Sequence, residues 1–366
     1  MSFGPKARLG RLVAHVTAAP LGLTLPDEGG LPQEALEILQ ALDRLKSGLF
    51  QADSQATEQG TISEGTFSQL VHLFAQFRRV MNNNIGDRAV LPKEDRKAVG
   101  RYIQRELLPI IALAPLPNRM YTKPCGYAGD YLTIKMMYDH RNPEFHGEGN
   151  LGPILHELFI KVPAFQAVCN RRGLLANEVA ETIAAAASEG RAAQITSLAC
   201  GPAQEIFDIY ETLPDPASLQ TSLLDIDKRA LELIAAAAEE RRLTEHLRLR
   251  KANLIHLALG RRSVDVQEQD LVYTIGLIDY FDDDMVVKLL SLAHDMLRPG
   301  GRVIVGNFHT SNPDKAFMDY VMEWPLIHRD ETKMHALFKA SKFGKPCDQI
   351  HFEAAGVNLF AECSRS

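Results

Sequence analysis

Residues 195–207 read ITSLACGPAQEIF, and residues 222–234 read SLLDIDKRALELI. Each segment is a short apolar run that ends in a turn and continues as an amphipathic pattern, which is typical of a buried strand followed by a helix. Further apolar runs lie within 247–257, at 270–275 and at 302–307, and helical segments separate most of them. This alternation predicts an α/β fold with a doubly wound, Rossmann-like parallel sheet.

Two different patterns precede the sheet. Residues 33–115 repeat apolar residues at helical spacing, which predicts amphipathic helices that stop at a group of prolines beginning with Pro109. Residues 118–150 combine glycines, prolines and tyrosines without a clear period, which is typical of a loop. We therefore expect an all-helical lid domain over residues 1–150, with residues 1–32 as a loosely attached arm.

The second expected domain covers residues 151–366. It should begin with two helices, around 151–171 and 174–189, and end with an antiparallel hairpin within 349–362 at the edge of the sheet. A segment near 312–345 interrupts the strand and helix alternation and reads as an insertion.

Composition excludes several functions. The net charge of −6 provides no basic surface for nucleic acid, so a small-molecule substrate is favoured. No apolar run approaches the ~18 residues that a membrane span needs. The five cysteines are far apart and form no CxxC pair, so we expect reduced cytoplasmic thiols and no metal site.

The turn after the first strand carries the first chemical signal. Gly201 lets the backbone approach a ligand closely, Pro202 suits the first turn of a helix, and the helix N-terminus offers free N–H groups. The turn lacks the GxGxxG of dinucleotide sites, which fits a cofactor without a pyrophosphate. An ordinary strand-to-helix turn is the alternative.

The second strand ends in two acidic residues. Asp225 follows Gly201 by 24 positions, where a carboxylate can accept both ribose hydroxyls of a nucleoside, and Asp227 can cap the following helix. Asn253, after the third strand, could bond the edge of adenine or be an ordinary turn residue.

These segments resemble the class I S-adenosylmethionine-dependent methyltransferases. SLACGPAQE is similar to their glycine motif, LLDIDKRAL to their ribose-binding motif, and DLVYTIGLIDYFDD with LRPGGRVIVGNF to their fourth and fifth strands. The resemblance covers about 190–310 and implies S-adenosylmethionine as cofactor. Leu198 or Ala199 stands where the family usually has an acidic residue, so the cofactor's amino group must be bound from elsewhere. Glu205 or a residue of the N-terminal half could supply that contact.

A narrower resemblance covers most of 118–363. YTKPCGYAGDY and NFHTSNPDKAFMDYVMEWPLIHRDE are similar to segments of bacterial enzymes of the 3-hydroxy fatty acid methyl ester biosynthesis type. It implies a helical N-terminal part, and an enzyme of secondary metabolism is expected.

Three tyrosines and a histidine are the catalytic candidates. Aromatic faces attract cations such as a sulfonium, so Tyr121, Tyr127 and Tyr131 are expected to wall the active site, although they could instead pack the two halves together. His309, after the fifth strand, could orient or deprotonate a substrate or simply bond neighbouring backbone. The predicted cofactor-binding residues are Cys200, Gly201, Pro202, Glu205, Asp225, Ile226, Asn253, Leu254, Tyr273 and Asp130.

Three functions fit this site. The first is methyl transfer to a carboxylate, hydroxyl or activated carbon of a small molecule. The second is a lyase reaction in which the cofactor's own amine attacks its γ-carbon, giving azetidine-2-carboxylate and methylthioadenosine. The third is cofactor binding without catalysis.

Overall fold

Seven strands form one sheet in the computed structural model, which describes residues 32–366. The order along the sheet is β3-β2-β1-β4-β5-β7-β6. The first five strands are parallel, and β7 is antiparallel to both β5 and β6. The strands are β1 (Ala193–Leu198), β2 (Leu219–Asp225), β3 (Leu247–Lys251), β4 (Gln269–Thr274), β5 (Leu297–Phe308), β6 (Gln349–Phe352) and β7 (Asn358–Ser364). The predicted doubly wound sheet and its edge hairpin are confirmed.

Alternating side chains along the strands build a core on each face of the sheet. In β4, Leu271 and Tyr273 pack with one cluster of apolar residues, whereas Val272 packs with the other. The first cluster includes residues of α7 (Pro163–Ser188), α8 (Gln204–Thr212) and α9 (Lys228–Glu240). The second includes residues of α10 (Leu254–Ala258), α11 (Asp283–Met296) and α13 (Glu331–Ala340). A strand buried on both faces reads as a continuous apolar run, which is the pattern in the sequence.

The remaining helices lie before and between these elements. They are α1 (Gln33–Gln59), α2 (Glu64–Ile85), α3 (Lys93–Ile111), α4 (Pro115–Thr122), α5 (Tyr131–Tyr138), α6 (Leu151–Phe159) and α12 (Lys315–Tyr320). None of the helices described between residues 32 and 366 is long and apolar enough to cross a bilayer. The expected arm over residues 1–32 falls, apart from Pro32, outside the described residues.

Three local expectations are wrong. Pro109 lies inside α3, near its end, and Pro115 and Pro117 belong to the first turn of α4, where a missing N–H has no cost. Residues 118–150 are not a pure loop, because α5 begins there behind the capping side chain of Asp130. Gly173 lies within α7, so the break between the two predicted helices falls at residues 160–162 instead.

The chain divides into two compact units that are not continuous in sequence. The helical unit comprises the residues up to Ala128, His140–Val162 and Pro313–Pro325. The sheet unit comprises Gly129–Asp139, Pro163–Asn312 and Leu326–Ser366. The sequence suggested a single division after residue 150, whereas part of the predicted insertion at 312–345 belongs to the helical unit.

A buried ion pair fixes that inserted segment within the helical unit. Arg78 of α2 pairs with Asp314, whose side chain is fully buried. Asn82 Oδ1 accepts the Ala316 N–H at 3.2 Å, and the Phe317 ring packs edge-on against Phe74 with ring centroids 5.5 Å apart. These contacts explain why residues 313–325 group with helices far away in sequence.

A second buried carboxylate stabilises the amino end of the sheet. Asp270 of β4 accepts two hydrogen bonds from Arg191, both at 2.7 Å, and one from the Gln194 N–H at 2.8 Å. Burial alone would raise the pKa of Asp270, but these bonds and the Arg298 guanidinium lower it below its usual value. The folded state therefore favours the ionised carboxylate.

We expect Asp270→Asn to lower the free energy of unfolding by about 2 kcal/mol at pH 7, because the buried amide cannot accept both hydrogen bonds from Arg191, and Arg191 and Arg298 keep only Glu189 as an acidic partner. The lowered pKa gives the wild type a stability that is present above the unfolded value of about 3.9 and is lost as the pH falls through the folded value. Urea unfolding measured between pH 7 and pH 3 should thus show the two proteins converging in acid. Asp295→Asn, at a half-exposed carboxylate paired with Lys342, is the control and should cost under about 0.5 kcal/mol. Equal losses in both variants would contradict the assignment.

Candidate cofactor site

The turn between β1 and α8 has an unusual backbone. Ala199, Gly201 and Ala203 all have left-handed φ angles, of 56°, 53° and 49°. Such a conformation costs a residue with a side chain roughly 1–2 kcal/mol, and strain of this kind concentrates at functional sites. The sequence suggested that Pro202 lies in the first turn of the helix. It lies before the helix instead, because Ala203 is the N-cap and α8 begins at Gln204.

The buried carboxylate of Asp225 holds this turn. Its Oδ2 accepts the Gly201 N–H at 2.9 Å, and its Oδ1 accepts the Asp227 N–H at 2.8 Å. Burial raises the pKa of Asp225, and the bonds from these two N–H groups act in the opposite direction. A carboxylate offers about four lone-pair directions, so each oxygen retains one for a further donor. Asp227 itself caps α9, as predicted.

A cleft of about 700 Å³ opens at the carboxyl ends of β2 and β3, and its lining begins with the residue that follows Asp225. Ile226 lines it and is 56% exposed, which is unusual for a large apolar side chain. Asn253 also lines it, but its Oδ1 accepts the His256 N–H at 3.2 Å and caps α10, so the turn role that the sequence left open is present. The Asn253 side-chain amide is then the group that could donate to a base. Leu254 is buried as the first residue of α10.

Glu205, in the first turn of α8, forms a buried pair with Tyr273 of β4. The Tyr273 hydroxyl donates to Glu205 Oε1 at 2.9 Å, and the two residues are 0% and 3% exposed, respectively. Burial raises the pKa of Glu205 above its usual value. Tyr273 lies inside β4, and its side chain belongs to the apolar cluster on one face of the sheet.

Arg171 and Asp279 are candidates that the sequence did not reveal. Arg171 Nη1 donates to the carbonyl oxygen of Ile275, directly after β4, at 2.7 Å. Asp279 accepts the Phe308 N–H at 2.7 Å, and burial raises the pKa of Asp279 to about 6. Arg171 lies in a helix that precedes every sheet motif, and only the folded chain brings it to the end of β4. Asp279 does lie within the resemblance, in DLVYTIGLIDYFDD.

The predicted aromatic wall divides between the two units. Tyr121 and Tyr127 are half-buried members of the helical unit, and Tyr131 is a half-buried residue of the sheet unit at the start of α5. Asp130 is fully buried, and its Oδ1 accepts the N–H groups of Leu132 and Thr133 at 2.9 Å each. Asp130 thus caps α5, and its predicted role in cofactor binding stays a prediction. The roles of the tyrosines as an active-site wall, and of the N-terminal helices as a lid, stay predictions.

His309 has partners at both ring nitrogens. Its Nδ1 lies 2.7 Å from the Ser311 hydroxyl, its Nε2 lies 3.2 Å from Glu331, and its ring packs edge-on against Phe352. The Ser311 N–H also donates to Nδ1 at 3.2 Å, which is the bonding to neighbouring backbone that the sequence left as an alternative to a role as a base. Its catalytic role stays a prediction.

Comparison with known proteins shows the fold. No protein-family model matches the chain, and no curated protein sequence matches it. A solved structure described as a possible exported protein from Bordetella parapertussis shares 14% identity over 93% of this chain and 99% of its own, with a TM-score of 0.51. At that identity the similarity concerns the fold alone.

Two methyltransferase structures overlap with lower TM-scores. The S-adenosylmethionine-dependent methyltransferase SibL shares 18% identity over 91% of this chain and 99% of its own, with a TM-score of 0.43. The 1,6-didemethyltoxoflavin-N1-methyltransferase of Burkholderia thailandensis, solved with S-adenosylhomocysteine, shares 17% identity over 51% and 77%, with a TM-score of 0.38.

We expect Gly201→Ala to lower the free energy of unfolding by about 1 kcal/mol, because alanine at a φ of 53° is strained although its Cβ would meet no atom within 4 Å. Chemical denaturation of the ligand-free protein measures the effect. Gly173→Ala is the matched control, since that glycine lies in the interior of α7 with open space around it, and alanine there should add about 0.5–1 kcal/mol. The turn geometry would be refuted if both substitutions stabilised the protein.

Proposed function

We propose that this chain is an S-adenosylmethionine-dependent enzyme that transfers a methyl group to a small molecule. The observation that carries the proposal is the geometry of Asp225. Its carboxylate is fixed by the N–H groups of Gly201 and Asp227, and it retains one acceptor direction on each oxygen for the two hydroxyls of a ribose. A diol held by one preorganised carboxylate is the recognition that a nucleoside requires.

The cleft beside Asp225 suits the base of that nucleoside. The exposed side chain of Ile226 offers an apolar surface to one face of adenine, and the Asn253 amide offers a donor to an acceptor nitrogen at its edge. The strained turn from Ala199 to Ala203 brings backbone close to the ribose, where side chains would take up room.

Methyl transfer requires little further chemistry from the protein. The acceptor's nucleophilic atom attacks the methyl carbon, the bond from that carbon to sulfur breaks, and the sulfonium leaves as the neutral thioether of S-adenosylhomocysteine. The acceptor's proton passes to a base or to water. Positioning and exclusion of water supply most of the rate. The narrower resemblance to fatty acid methyl ester biosynthesis suggests a carboxylate as acceptor.

One observation favours a second candidate function, cyclisation of the cofactor. Glu205 is a buried carboxyl with a raised pKa, and it replaces the ionised acid that the family usually has at Leu198 or Ala199. Such a group accepts a proton at neutral pH better than an ordinary glutamate. If Glu205 takes a proton from the cofactor's amine, the nitrogen can attack the γ-carbon, the bond from that carbon to sulfur breaks, and methylthioadenosine leaves.

We expect Asp225→Asn to weaken binding of S-adenosylhomocysteine at least tenfold, because bonds between ribose hydroxyls and a charged acceptor are worth about 1.5–3 kcal/mol each. Calorimetric titration of the full chain measures the dissociation constant. Asp227→Asn is the control, since that acid lies two residues away, caps α9 and pairs with Arg229. It should leave the dissociation constant within about twofold, and an equal loss in both variants would contradict the ribose assignment.

Product analysis separates the two reactions. Incubation of the protein with S-adenosylmethionine alone should yield no methylthioadenosine above the uncatalysed background if the enzyme is a methyltransferase, and S-adenosylhomocysteine should form only after an acceptor is added. Methylthioadenosine formed without an acceptor, together with its loss in Glu205→Gln, would support cyclisation instead. Binding of the cofactor without any turnover would indicate a protein that only binds the cofactor, and it would contradict both enzymatic functions.

A further inference from the structure

Two imidazole rings meet within the helical unit. His146 directly follows the short 3₁₀ turn Pro143–Phe145, and His156 lies in α6. The ring centroids are 4.4 Å apart, and the ring planes are inclined by 31°. Both Nε2 atoms face the carbonyl oxygen of His140, at 3.2 Å from His146 and at 2.7 Å from His156. One backbone oxygen therefore orients both rings.

These two hydrogen bonds determine which nitrogen of each ring carries the proton. A carbonyl oxygen can only accept, so Nε2 donates in both rings, and Nδ1 of a neutral ring then holds a free lone pair. His156 is 1% exposed, and its buried Nδ1 has no hydrogen-bond partner among residues 32–366. Burial lowers the pKa of His156, which favours the neutral ring. A buried acceptor nitrogen without a donor is unfavourable, so this atom calls for a ligand.

Glu157 adds a carboxylate to the two rings. Adjacent residues of a helix point about 100° apart, but the glutamate side chain is long enough to turn back. One ligating atom from each of His146, His156 and Glu157 lies within 4.8 Å of the other two. Ligands at about 2.1 Å from a tetrahedral Zn²⁺ ion are about 3.4 Å apart, so shifts of at most about 0.7 Å per side chain would close the group around an ion. Two imidazoles and one carboxylate are a known ligand set for Zn²⁺ sites that keep a fourth position for water.

Close backbone packing fixes the loop that carries His146. Gly147 has a φ of 89°, and a Cβ there would come within 2.9 Å of the Leu113 carbonyl oxygen and within 3.1 Å of Gly152 Cα. Gly152 belongs to the first turn of α6, and α6 packs on α1, α2 and α4. The two glycines thus let the loop lie directly on the helix that carries the other two residues of the group.

A second group of one histidine and two carboxylates provides a contrast. One ligating atom from each of Glu178, His351 and Glu362 also lies within 4.8 Å of the other two. Arg302 donates to Glu178 at 2.6 Å and to Glu362 at 3.1 Å, so a guanidinium already supplies positive charge there. Glu157, by contrast, forms no ion pair with any residue between 32 and 366.

We propose that His146, His156 and Glu157 bind one Zn²⁺ ion, which ties the loop before α6 to the helix itself. The site lies within the helical unit, so its occupation does not depend on the cofactor of the sheet unit. The His140 carbonyl supplies the outer hydrogen bonds that metal-binding histidines usually make through their second nitrogen. The sequence indicated no metal site, because only the fold brings these two rings together.

Zinc titration of the untagged full chain, after a chelator has removed bound metal, tests the site. We expect one Zn²⁺ per chain, measured by competition with a chromogenic chelator of known zinc affinity. His146→Gln and Glu157→Gln should each weaken this binding at least about tenfold, because each removes a ligand. The controls are His351→Gln, in the second group, and His72→Gln, at an exposed histidine of α2. Both should leave the zinc affinity unchanged.

Thermal unfolding gives a second measurement. Zn²⁺ at about a hundredfold excess over its dissociation constant should raise the unfolding midpoint of the wild type by about 3–6 °C. The midpoint of His146→Gln should not rise with Zn²⁺. Without metal, this variant should unfold at the same temperature as the metal-free wild type, which shows that it is folded.

Three results would overturn the zinc site. If the wild type binds no Zn²⁺, the buried Nδ1 of His156 holds a water molecule only. An unchanged zinc affinity in His146→Gln and Glu157→Gln would place the ion elsewhere, and its loss in His351→Gln would place it in the second group. Equal weakening in all four variants would indicate adventitious binding by surface histidines.

Discussion

The hydrogen bond from the Gly201 N–H to the Asp225 carboxylate joins the ends of two neighbouring strands. It fixes the turn after β1 in its left-handed conformation and at the same time fixes the carboxylate at the end of β2. Both parts of the proposed nucleoside site therefore depend on one part-buried contact of 2.9 Å. A ligand meets an acceptor whose orientation is already set, so little ordering remains to be done when it binds.

Polar groups with unused bonding capacity follow one another along the carboxyl edge of the sheet. Asp225 has acceptor capacity beyond β2, and Arg171 has donor capacity beyond β4. Between them the turn after β1, from Ala199 to Ala203, carries only small side chains, and that of Cys200 is buried. The hydrogen bonds within the described part of the chain leave these groups incompletely bonded.

The sequence predicted the sheet well because buried parallel strands are continuous apolar runs whose ends coincide with turns. It failed where the deciding contact comes from another part of the chain. Gly173 weakens a helix locally, yet α7 continues through it, since packing of the whole helix outweighs one unfavourable residue. The short helix α5 was missed because its main signal is the single capping residue Asp130.

The candidate site was predictable to a similar and limited extent. Asp225, Gly201 and Glu205 lie in motifs next to strands, so topology alone places them at one edge. Arg171 could not be found in this way, because its sequence context is an ordinary helix with two adjacent arginines. Only the fold distinguishes it from Arg172. Arg172 forms an ion pair with Asp208, whereas Arg171 forms no ion pair with any residue between 32 and 366.

The chain crosses between its two units five times, after Ala128, Asp139, Val162, Asn312 and Pro325. A single cut therefore cannot separate them. Removal of residues 1–150 would take away Arg78, the ion-pair partner of Asp314. It would also take away Tyr138, a hydrogen-bond partner of Arg171. Exchange of residues 1–150 as one piece would therefore break contacts inside each of the two units.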